Sequence, residues 1–378
     1  MLTEEQVLIV ETARAFARER LAPDSAEWDR TGKLPRDVLD ELGELGFLGM
    51  TVAPEWGGAG TDYVAYALAL MEIAAGDGSV STIMSVQNAP VCAVLAGHGS
   101  DAQKEQWLRP LASGQMIGSF ALTEPQAGSD ASNLRTRAVR HKEHYVIDGS
   151  KQFISSASIA GVVIVFAVTD PAAGKRGISA FLVPTASKGF SVSRIEDKLG
   201  QKASDTCALT FDRLEIPIEN RLGAEGEGLR IALSSLEQGR IGIAAQSVGM
   251  ATAALDYALA YAHEREQFGR PIFEHQAVGF RLADLATRLE AARQLVLHAA
   301  RLRDAAQPCL KEACMAKLFA SETAEAICSG AIQTLGGYGY LRDYPVERIY
   351  RDVRVCQIYE GTSDVQRLLI SRHLAVAR

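Results

Sequence analysis

The sequence predicts an α+β fold with an N-terminal α-helical domain, a middle β domain built as a barrel or a sandwich, and a C-terminal four-helix bundle. The texture of the 378 residues changes near residue 117, where helical periodicity gives way to short β-branched runs, and again after residue 228, where long Ala-rich runs begin. Strands and helices do not alternate, so a Rossmann dinucleotide domain is not expected. We therefore expect domains at residues 1–116, 117–226 and 227–378, which are ordinary domain sizes.

Capping patterns mark helices in the N-terminal domain. Thr3 with Gln6, and Ser100 with Gln103, have the spacing of a capping box. The Pro- and Gly-containing cluster at residues 54–58 predicts a loop between helices.

The middle domain is predicted from short apolar runs. Asp148-Gly149 stands between two such runs and is a hairpin signal. The other predicted strands cover residues 162–168, 178–183, 190–195 and 207–216.

Long helices are predicted for the C-terminal domain. One covers residues 231–263, one follows Pro308 and ends at Gly336-Gly337, and the last covers about residues 365–375. Between residues 274 and 304 the apolar positions alternate in steps of four and three, which is the seam of a helix in a bundle. These positions are Val278, Leu282, Leu285, Leu289, Ala292 and Val296.

Composition argues against several classes of function. The net charge of −7 disfavours a nucleic-acid partner. The six cysteines have no C-x-x-C pair and no histidine in metal-ligand spacing, so we expect reduced, mostly buried thiols and no metal. Residues 1–5 lack the basic and apolar pattern of a signal peptide, and we expect no membrane-spanning stretch. The expected location is the cytoplasm.

An isolated acid, Glu360, lies between an apolar run and the turn residues Gly361 and Thr362. A carboxylate held beside apolar groups loses hydration, which raises its pKa toward neutrality. A general base that removes a weakly acidic carbon-bound proton needs that property. Taken alone, the stretch also fits a surface acid before a helix that is capped near Thr362.

Four further motifs have features of a ligand site. Residues 120–130 combine hydroxyls, a glycine and open backbone N–H groups, and residues 151–157 place an aromatic and two hydroxyls after the hairpin signal. Arg265 in R-E-Q-F-G could clamp a pyrophosphate, and the glycine-rich helix end at residues 333–339 allows close approach of a ligand. Each also has an ordinary structural interpretation, as a turn, a core aromatic, a solvated helix end or a C-cap.

Together, in this order and over essentially the whole chain, the five motifs resemble those of the acyl-CoA dehydrogenase family. The resemblance implies FAD bound without a Rossmann fold, in an oligomer whose family norm is a homotetramer built from two dimers. Where the family usually has tryptophan the chain has Phe153, which keeps a stacking face but loses the indole donor, so we expect a shifted flavin spectrum or potential. The implied flavin contacts are Phe120, Leu122, Thr123, Ser129, Phe153, Ile154, Ser155, Thr362 and Asp364, and the implied contacts to the ADP half of a neighbouring subunit's FAD are Arg265, Phe268, Gln276, Gln333, Gly336 and Gly337.

The resemblance also implies a reaction. A base removes the α-proton of a saturated acyl-CoA while Cβ gives a hydride to flavin N5, and electrons pass to an electron-transfer flavoprotein. Some branches, such as isovaleryl-CoA dehydrogenases, place the base on the CoA-contacting helix just before its arginine, where this chain has Gly239. Glu360 is therefore the predicted sole base. The implied substrate contacts are Ser129, Leu236, Glu237, Arg240 and Gly361, with a structural ion pair as the alternative role for Arg240.

The sequence leaves alternatives open for the acyl-CoA substrate and for the electron acceptor. Residues 84–88 and 239–244 look most like those of short-chain enzymes, which favours straight or 2-methyl-branched short acyl chains. Residues 79–82 contain no arginine, which disfavours glutaryl-CoA. An acyl-CoA oxidase that uses O₂ is one alternative, although chain length favours a dehydrogenase. A non-catalytic protein that binds FAD and a partner or DNA is another, against which Glu360 and the acidic balance argue.

Overall fold

The helices of the N-terminal part have the capping expected from the sequence. The structure, a computed structural model, describes residues 2–376, so the outer limits of the predicted domains at residues 1 and 378 lie outside the described residues. Both capping boxes are confirmed, at Thr3 with Gln6 and at Ser100 with Gln103. The helices are α1 (Glu4–Phe16), α2 (Ser25–Thr31), α3 (Arg36–Glu44), α4 (Tyr63–Gly76), α5 (Gly78–Val86), α6 (Ala93–His98), α7 (Asp101–Gln103) and α8 (Arg109–Ala112), with π-helical segments at Ala17–Leu21, Gln87–Cys92 and Lys104–Leu108.

The run Gly78–His98 differs from our expectation that no stretch has the length and composition of a membrane span. It is 21 residues long with a mean hydropathy of 1.3 in its most apolar window, and by length and composition it could cross a membrane. Within the fold, however, 78% of that window is buried. Such burial is typical of a core helix, whose apolar surface is covered by neighbouring elements.

The middle domain is one sheet of eight strands. Its hydrogen-bonded order is β6-β7-β3-β2-β4-β5-β8, and β1 pairs with β4 in parallel. Among the strands that the structure describes, β6 and β8 end the path without pairing to each other, so the sheet is not a closed barrel. The strands are β1 (Gly118–Ala121), β2 (Arg137–Arg140), β3 (His144–Ser155), β4 (Val162–Val168), β5 (Ile178–Pro184), β6 (Phe190–Ile195), β7 (Thr206–Pro217) and β8 (Arg221–Leu222).

The hairpin predicted at Asp148-Gly149 is wrong, because β3 continues through both residues. The two halves of β3 pair with the single strand β7, and the register shifts between Ile147 and Gly149, as in a β-bulge. Gly149 has φ +147°, and Asp148 accepts a hydrogen bond from the backbone N–H of Arg213 at 2.8 Å. Pairing with β7 therefore outweighs the local turn preference of Asp-Gly.

The C-terminal part is helical, as predicted. It contains α9 (Gly228–Glu264), α10 (Gln276–Asp304), α11 (Leu310–Leu335), α12 (Pro345–Val353) and α13 (Ser363–Val376), with the short strands β9 (Glu266–Gln267) and β10 (Arg270–Pro271). Helix α11 packs against α9, α10, α12 and α13. On α10 the predicted seam is buried from Leu282 to Val296, while Val278 is partly buried. Helix α12 had no sequence prediction.

One large hydrophobic core joins the two helical parts. It contains α1 and α4 residues together with α9, α10 and α11 residues, so the long C-terminal helices pack directly on the N-terminal ones. Two smaller cores cover the two faces of the sheet. All six cysteines are buried and free, as expected of reduced thiols.

Candidate active site

Glu360 lies on the loop between the short helical turn Arg354–Gln357 and α13. Glu360 has φ +51° and Gly361 has φ +92°, so two successive residues adopt the left-handed conformation. For a glutamate this conformation is unfavourable and marks a constrained loop. The Thr362 hydroxyl accepts from the Val365 backbone N–H at 3.4 Å, so this loop also caps α13, as the alternative interpretation expects.

The side chain of Glu360 points into the protein. The residue as a whole is half-buried, but its Oε2 is buried and has no hydrogen-bond partner among the described residues. Burial raises the pKa of Glu360 to about 7, although the nearby cations Arg240 and Lys317 oppose the rise. A carboxylate that is buried, unpartnered and titrates near neutrality can accept a proton at neutral pH.

The carboxylate of Glu360 packs directly against Gly239 on α9. A Cβ built at position 239 would have all three carboxyl atoms of Glu360 within 2.8 Å. A larger residue at position 239 and the observed position of Glu360 are therefore incompatible. Position 239 and position 360 reach the same point in space from two different elements.

Two cations flank this carboxylate. Arg240 on α9 is 5% exposed, and its Nε is buried without a hydrogen-bond partner among residues 2–376. Lys317 on α11 is fully buried and donates from Nζ to the carbonyl of Gly361 at 2.6 Å. Among residues 2–376 Arg240 has no ion pair within 4.0 Å, so the structural ion pair considered for it is not found. Glu237, the next predicted contact, lies 3.6 Å from Arg303 and accepts a hydrogen bond from Cys309 Sγ at 3.3 Å. The other predicted contact on α9, Leu236, is half-buried.

A buried ion pair joins the two motifs of the middle domain. Lys151 Nζ lies 2.8 Å from Glu124 Oε1 and also donates to the carbonyl of Leu122 at 3.0 Å. Glu124 in turn accepts from the backbone N–H of Arg135 at 2.6 Å. The backbone N–H of Gln152 donates to the carbonyl of Thr123 at 2.9 Å. Residues 122–124 and 151–152 are therefore held together as one unit.

The predicted flavin-facing residues differ in exposure. Phe153 is 62% exposed with φ +61°, so it is not the core aromatic of the alternative interpretation. Ile154 is buried in the sheet core, where it lies opposite Cys207 in the pairing of β3 with β7. Ser155 and Phe120 are partly buried, and Ser129 is exposed.

A separate pocket of about 770 Å³ lies where α9, α10 and the end of α11 meet. Four of the residues predicted to contact the ADP half of FAD line it: Arg265, Phe268, Gly336 and Gly337. A Cβ at either glycine would meet open space, and Phe268 is 94% exposed. A cation, open backbone and an exposed ring fit a pyrophosphate with its attached nucleoside.

Four further residues that were predicted to contact FAD do not line this pocket: Gln276, Gln333, Thr362 and Asp364. Gln276 is exposed at the first turn of α10, and Gln333 is exposed near the end of α11. Thr362 and Asp364 lie beside Glu360 in the chain, where Asp364 pairs with Arg367 at 3.3 Å. Residues 2–376 contain no group of three or more His, Cys, Asp or Glu that could hold a metal ion.

Sequence reasoning missed the buried polar groups around Glu360. The Tyr359 hydroxyl donates to Gln246 Oε1 at 2.5 Å, and Gln246 Nε2 donates to Thr82 Oγ1 at 2.5 Å. Lys317 also had no sequence prediction. Its signal is a lysine within an Ala-rich helical run whose other buried residues are uncharged, which is unusual for a residue that prefers the surface.

Comparison with known proteins gives one consistent result. Models of the N-terminal, middle and C-terminal domains of acyl-CoA dehydrogenases match residues 3–115, 119–214 and 226–375. A relative from Clostridium acetobutylicum, named as a short-chain specific acyl-CoA dehydrogenase, is 43% identical over 98% of both chains.

Two solved structures agree over almost the full length. The butyryl-CoA dehydrogenase of Megasphaera elsdenii has a TM-score of 0.96 at 40% identity, with 99% of both chains covered. A chain solved in work on the electron transferring flavoprotein of Acidaminococcus fermentans, concerned with flavin-based electron bifurcation, has a TM-score of 0.97 at 44% identity, covering 99% of this chain and 98% of that one.

Proposed function

Since the chain belongs to the acyl-CoA dehydrogenase family of FAD-dependent enzymes, we propose that it converts a short-chain acyl-CoA to the trans-2-enoyl-CoA, with Glu360 as the base. The acyl chain is straight or 2-methyl-branched. The electron acceptor is an electron-transfer flavoprotein, and the enzyme works as a cytoplasmic homotetramer. The observation that carries the proposal is the buried, unpartnered Oε2 of Glu360 against Gly239.

The chemistry assigned to Glu360 follows from its surroundings. The α-proton of a thioester is weakly acidic, so the base must have a raised pKa and the developing negative charge on the thioester oxygen must be stabilised. Burial supplies the first condition by raising the pKa of Glu360 to about 7. For the second we assign the backbone N–H of Glu360, which lies on the same constrained loop as the carboxylate.

Several residues would hold the cofactor. FAD, when bound, accepts the hydride that leaves Cβ of the substrate. The unit formed by residues 122–124 and 151–152 would present the backbone beside Phe153 to the flavin. The pocket lined by Arg265 and Gly336 would take the ADP half of the cofactor of a neighbouring subunit, which is the basis for proposing an oligomer.

The names of the relatives support the short acyl chain and the acceptor. The C. acetobutylicum relative is short-chain specific, and the M. elsdenii neighbour is a butyryl-CoA dehydrogenase. The A. fermentans neighbour comes from work on an electron transferring flavoprotein. Glutaryl-CoA is disfavoured because residues 79–82 contain no arginine that could pair with its distal carboxylate, and the Thr82 hydroxyl already donates to Gln201 at 2.5 Å.

Anaerobic titration of the FAD-loaded protein with butyryl-CoA, 2-methylbutyryl-CoA and octanoyl-CoA tests this function. We expect butyryl-CoA or 2-methylbutyryl-CoA to bleach the flavin, with a higher kcat/KM than octanoyl-CoA. A much higher kcat/KM for octanoyl-CoA would contradict the short-chain assignment. If no acyl-CoA bleaches the flavin, the enzymatic proposal is wrong and a non-catalytic role replaces it.

Admission of air after bleaching distinguishes a dehydrogenase from an oxidase. A dehydrogenase should reoxidise slowly in air and rapidly when an electron-transfer flavoprotein is added. Rapid reoxidation by O₂ alone would favour the oxidase alternative.

A further inference from the structure

We propose that Lys317 is a positioning residue for the base, holding the Glu360 loop in its left-handed conformation and facing the carboxylate with a positive charge while leaving its oxygens free of hydrogen bonds. The proposal rests on the proposed function and names a residue that the family comparison does not assign. It depends on where Lys317 Nζ is bonded and on what is bonded to Glu360.

Lys317 holds the backbone of the loop and not the carboxylate. Its Nζ donates to the carbonyl of Gly361 at 2.6 Å, and no ion pair within 4.0 Å joins Lys317 to Glu360 among residues 2–376. The same carbonyl accepts from Gln366 Nε2 at 2.8 Å, and Gln366 Nε2 also lies 3.2 Å from the carbonyl of Glu360. The backbone carbonyls of Glu360 and Gly361 are therefore both held by side chains.

The other side of Glu360 is fixed as well. Tyr359 is tied through its hydroxyl to Gln246 on α9 at 2.5 Å. The loop is thus anchored to α9 before Glu360 and to α11 after it, and the two helices pack against each other. This double anchoring explains how Glu360, which is not a glycine, keeps a positive φ that costs free energy unless the surroundings enforce it.

The electrostatics around Lys317 fit the same role. A buried ammonium with a carbonyl as its hydrogen-bond acceptor is costly unless negative charge lies nearby. Burial lowers the pKa of Lys317 to about 8, and the nearby acidic groups Cys356 and Glu360 oppose that fall. Because burial raises the pKa of the Cys356 thiol, Glu360 is the one of these two groups that can be charged at neutral pH. The charge of Lys317 in turn lowers the pKa of Glu360 and so favours its ionised form through space.

This arrangement suits a base better than a direct salt bridge. An ion pair would occupy the lone pairs that must accept the proton and would lower the pKa of the carboxylate strongly. The charged and titratable groups facing Glu360 are Arg240 from α9, Lys317 from α11 and the Tyr66 hydroxyl from α4. Near Lys317 itself lie the thiols of Cys314 and Cys356, which are protonated at neutral pH because burial raises their pKa.

The test compares Lys317→Met, Lys317→Arg and the control Lys311→Met. Lys311 lies on the same helix, is 38% exposed and pairs with Glu312 at 3.0 Å, so the control removes a lysine without touching the site. The pKa of Glu360 is measured directly by ¹³C NMR titration of glutamate-labelled protein, with its signal identified by its loss in Glu360→Gln. The pH dependence of kcat/KM is measured in parallel.

We expect Lys317→Met to raise the pKa of Glu360 by about one unit, because a positive charge is removed, and to lower kcat more than it changes KM. Lys317→Arg should keep a pKa near that of the wild type, and Lys311→Met should match the wild type in both measurements. If Lys317→Met does not fold, Lys317→Arg still tests the proposal. The arginine would contact the carbonyl of Gly361 at a different distance, which should lower kcat while the pKa of Glu360 stays near its wild-type value.

An unchanged pKa and an unchanged kcat in Lys317→Met would overturn the proposal. So would Lys317→Arg with wild-type kcat if it is the only variant that folds. Because the NMR titration does not require turnover, absence of activity in the wild type with every acyl-CoA would contradict the proposed function separately, without changing the result for Lys317.

Discussion

Gly239→Ala is the sharpest perturbation that the structure offers, because the added methyl group would occupy the space of the Glu360 carboxylate. The three carboxyl atoms lie within 2.8 Å of the new Cβ, so the carboxylate must move. The Glu360 loop cannot follow freely, since Lys317 and Gln366 hold the carbonyl of Gly361. The displacement therefore falls on the side chain of Glu360.

The effect on stability should be small and the effect on activity large. Replacement of glycine by alanine inside α9 gains about 1 kcal/mol of helix propensity, and overpacking costs about 1–3 kcal/mol, so the variant should fold. A shift of about 1 Å in a reacting group lowers the rate by about 10²-fold. We therefore expect kcat for butyryl-CoA to fall by about 10²-fold with a nearly unchanged melting temperature.

Gly97→Ala is the matched control, because Gly97 lies in helix α6 and a Cβ there meets no atom within 4 Å. It should gain stability and keep full activity. Steady-state kinetics and thermal unfolding of both variants check the expectation. Wild-type kcat in a folded Gly239→Ala protein would refute the reasoning that the carboxylate must stay against Gly239 to act.

Three further outcomes follow from the buried ionisable groups. Lys151→Met should lower the free energy of unfolding in denaturant by about 3–5 kcal/mol, because it leaves the charge of Glu124 buried and uncompensated. The control Lys175→Met removes an exposed lysine and should leave the free energy of unfolding nearly unchanged. The kcat/KM for butyryl-CoA should rise with pH through about 7, because Glu360 acts only when deprotonated, and a flat profile from pH 5 to 9 would count against it. Burial and Asp77 raise the pKa of Asp352 to about 7, so the folded state binds the carboxyl proton more tightly than the unfolded state does. The free energy of unfolding should therefore fall as pH rises from about 4 through 7. Glu360, whose pKa burial also raises to about 7, contributes to the same slope. Asp352→Asn should therefore reduce the slope without abolishing it, and an unchanged slope would contradict the role of Asp352.

Much of the fold could be predicted from patterns that act locally. The β-branched run at residues 162–168 became β4 with those same limits, and the four-three seam of α10 became its buried face, because both patterns report which face of an element meets the core. The Asp148-Gly149 prediction failed because strand pairing over twelve residues of β3 outweighs a two-residue turn preference. Helix α12 and the π-helical segments had no such pattern in the sequence interpretation.

The site could be predicted only where one residue carries the signal. Glu360 stands out as an acid beside apolar residues, and Gly239 gained meaning from the resemblance to a family. The contact between them joins residues that are far apart in the chain, and nothing in either local sequence encodes it. The same is true of Lys317, whose role depends on the carbonyl of Gly361. It is also true of Gln246, which contacts Tyr359 from helix α9.

The most direct test of the central claim, that Glu360 removes the α-proton, is anaerobic rapid mixing of butyryl-CoA with wild-type protein and with Glu360→Gln, both loaded with FAD. We predict that the variant folds, binds FAD and binds butyryl-CoA, but that its flavin bleaches about 10²–10⁴-fold more slowly, which is the usual contribution of a positioned general base. Bleaching of Glu360→Gln at the wild-type rate would contradict the claim and would mean that another group takes the proton.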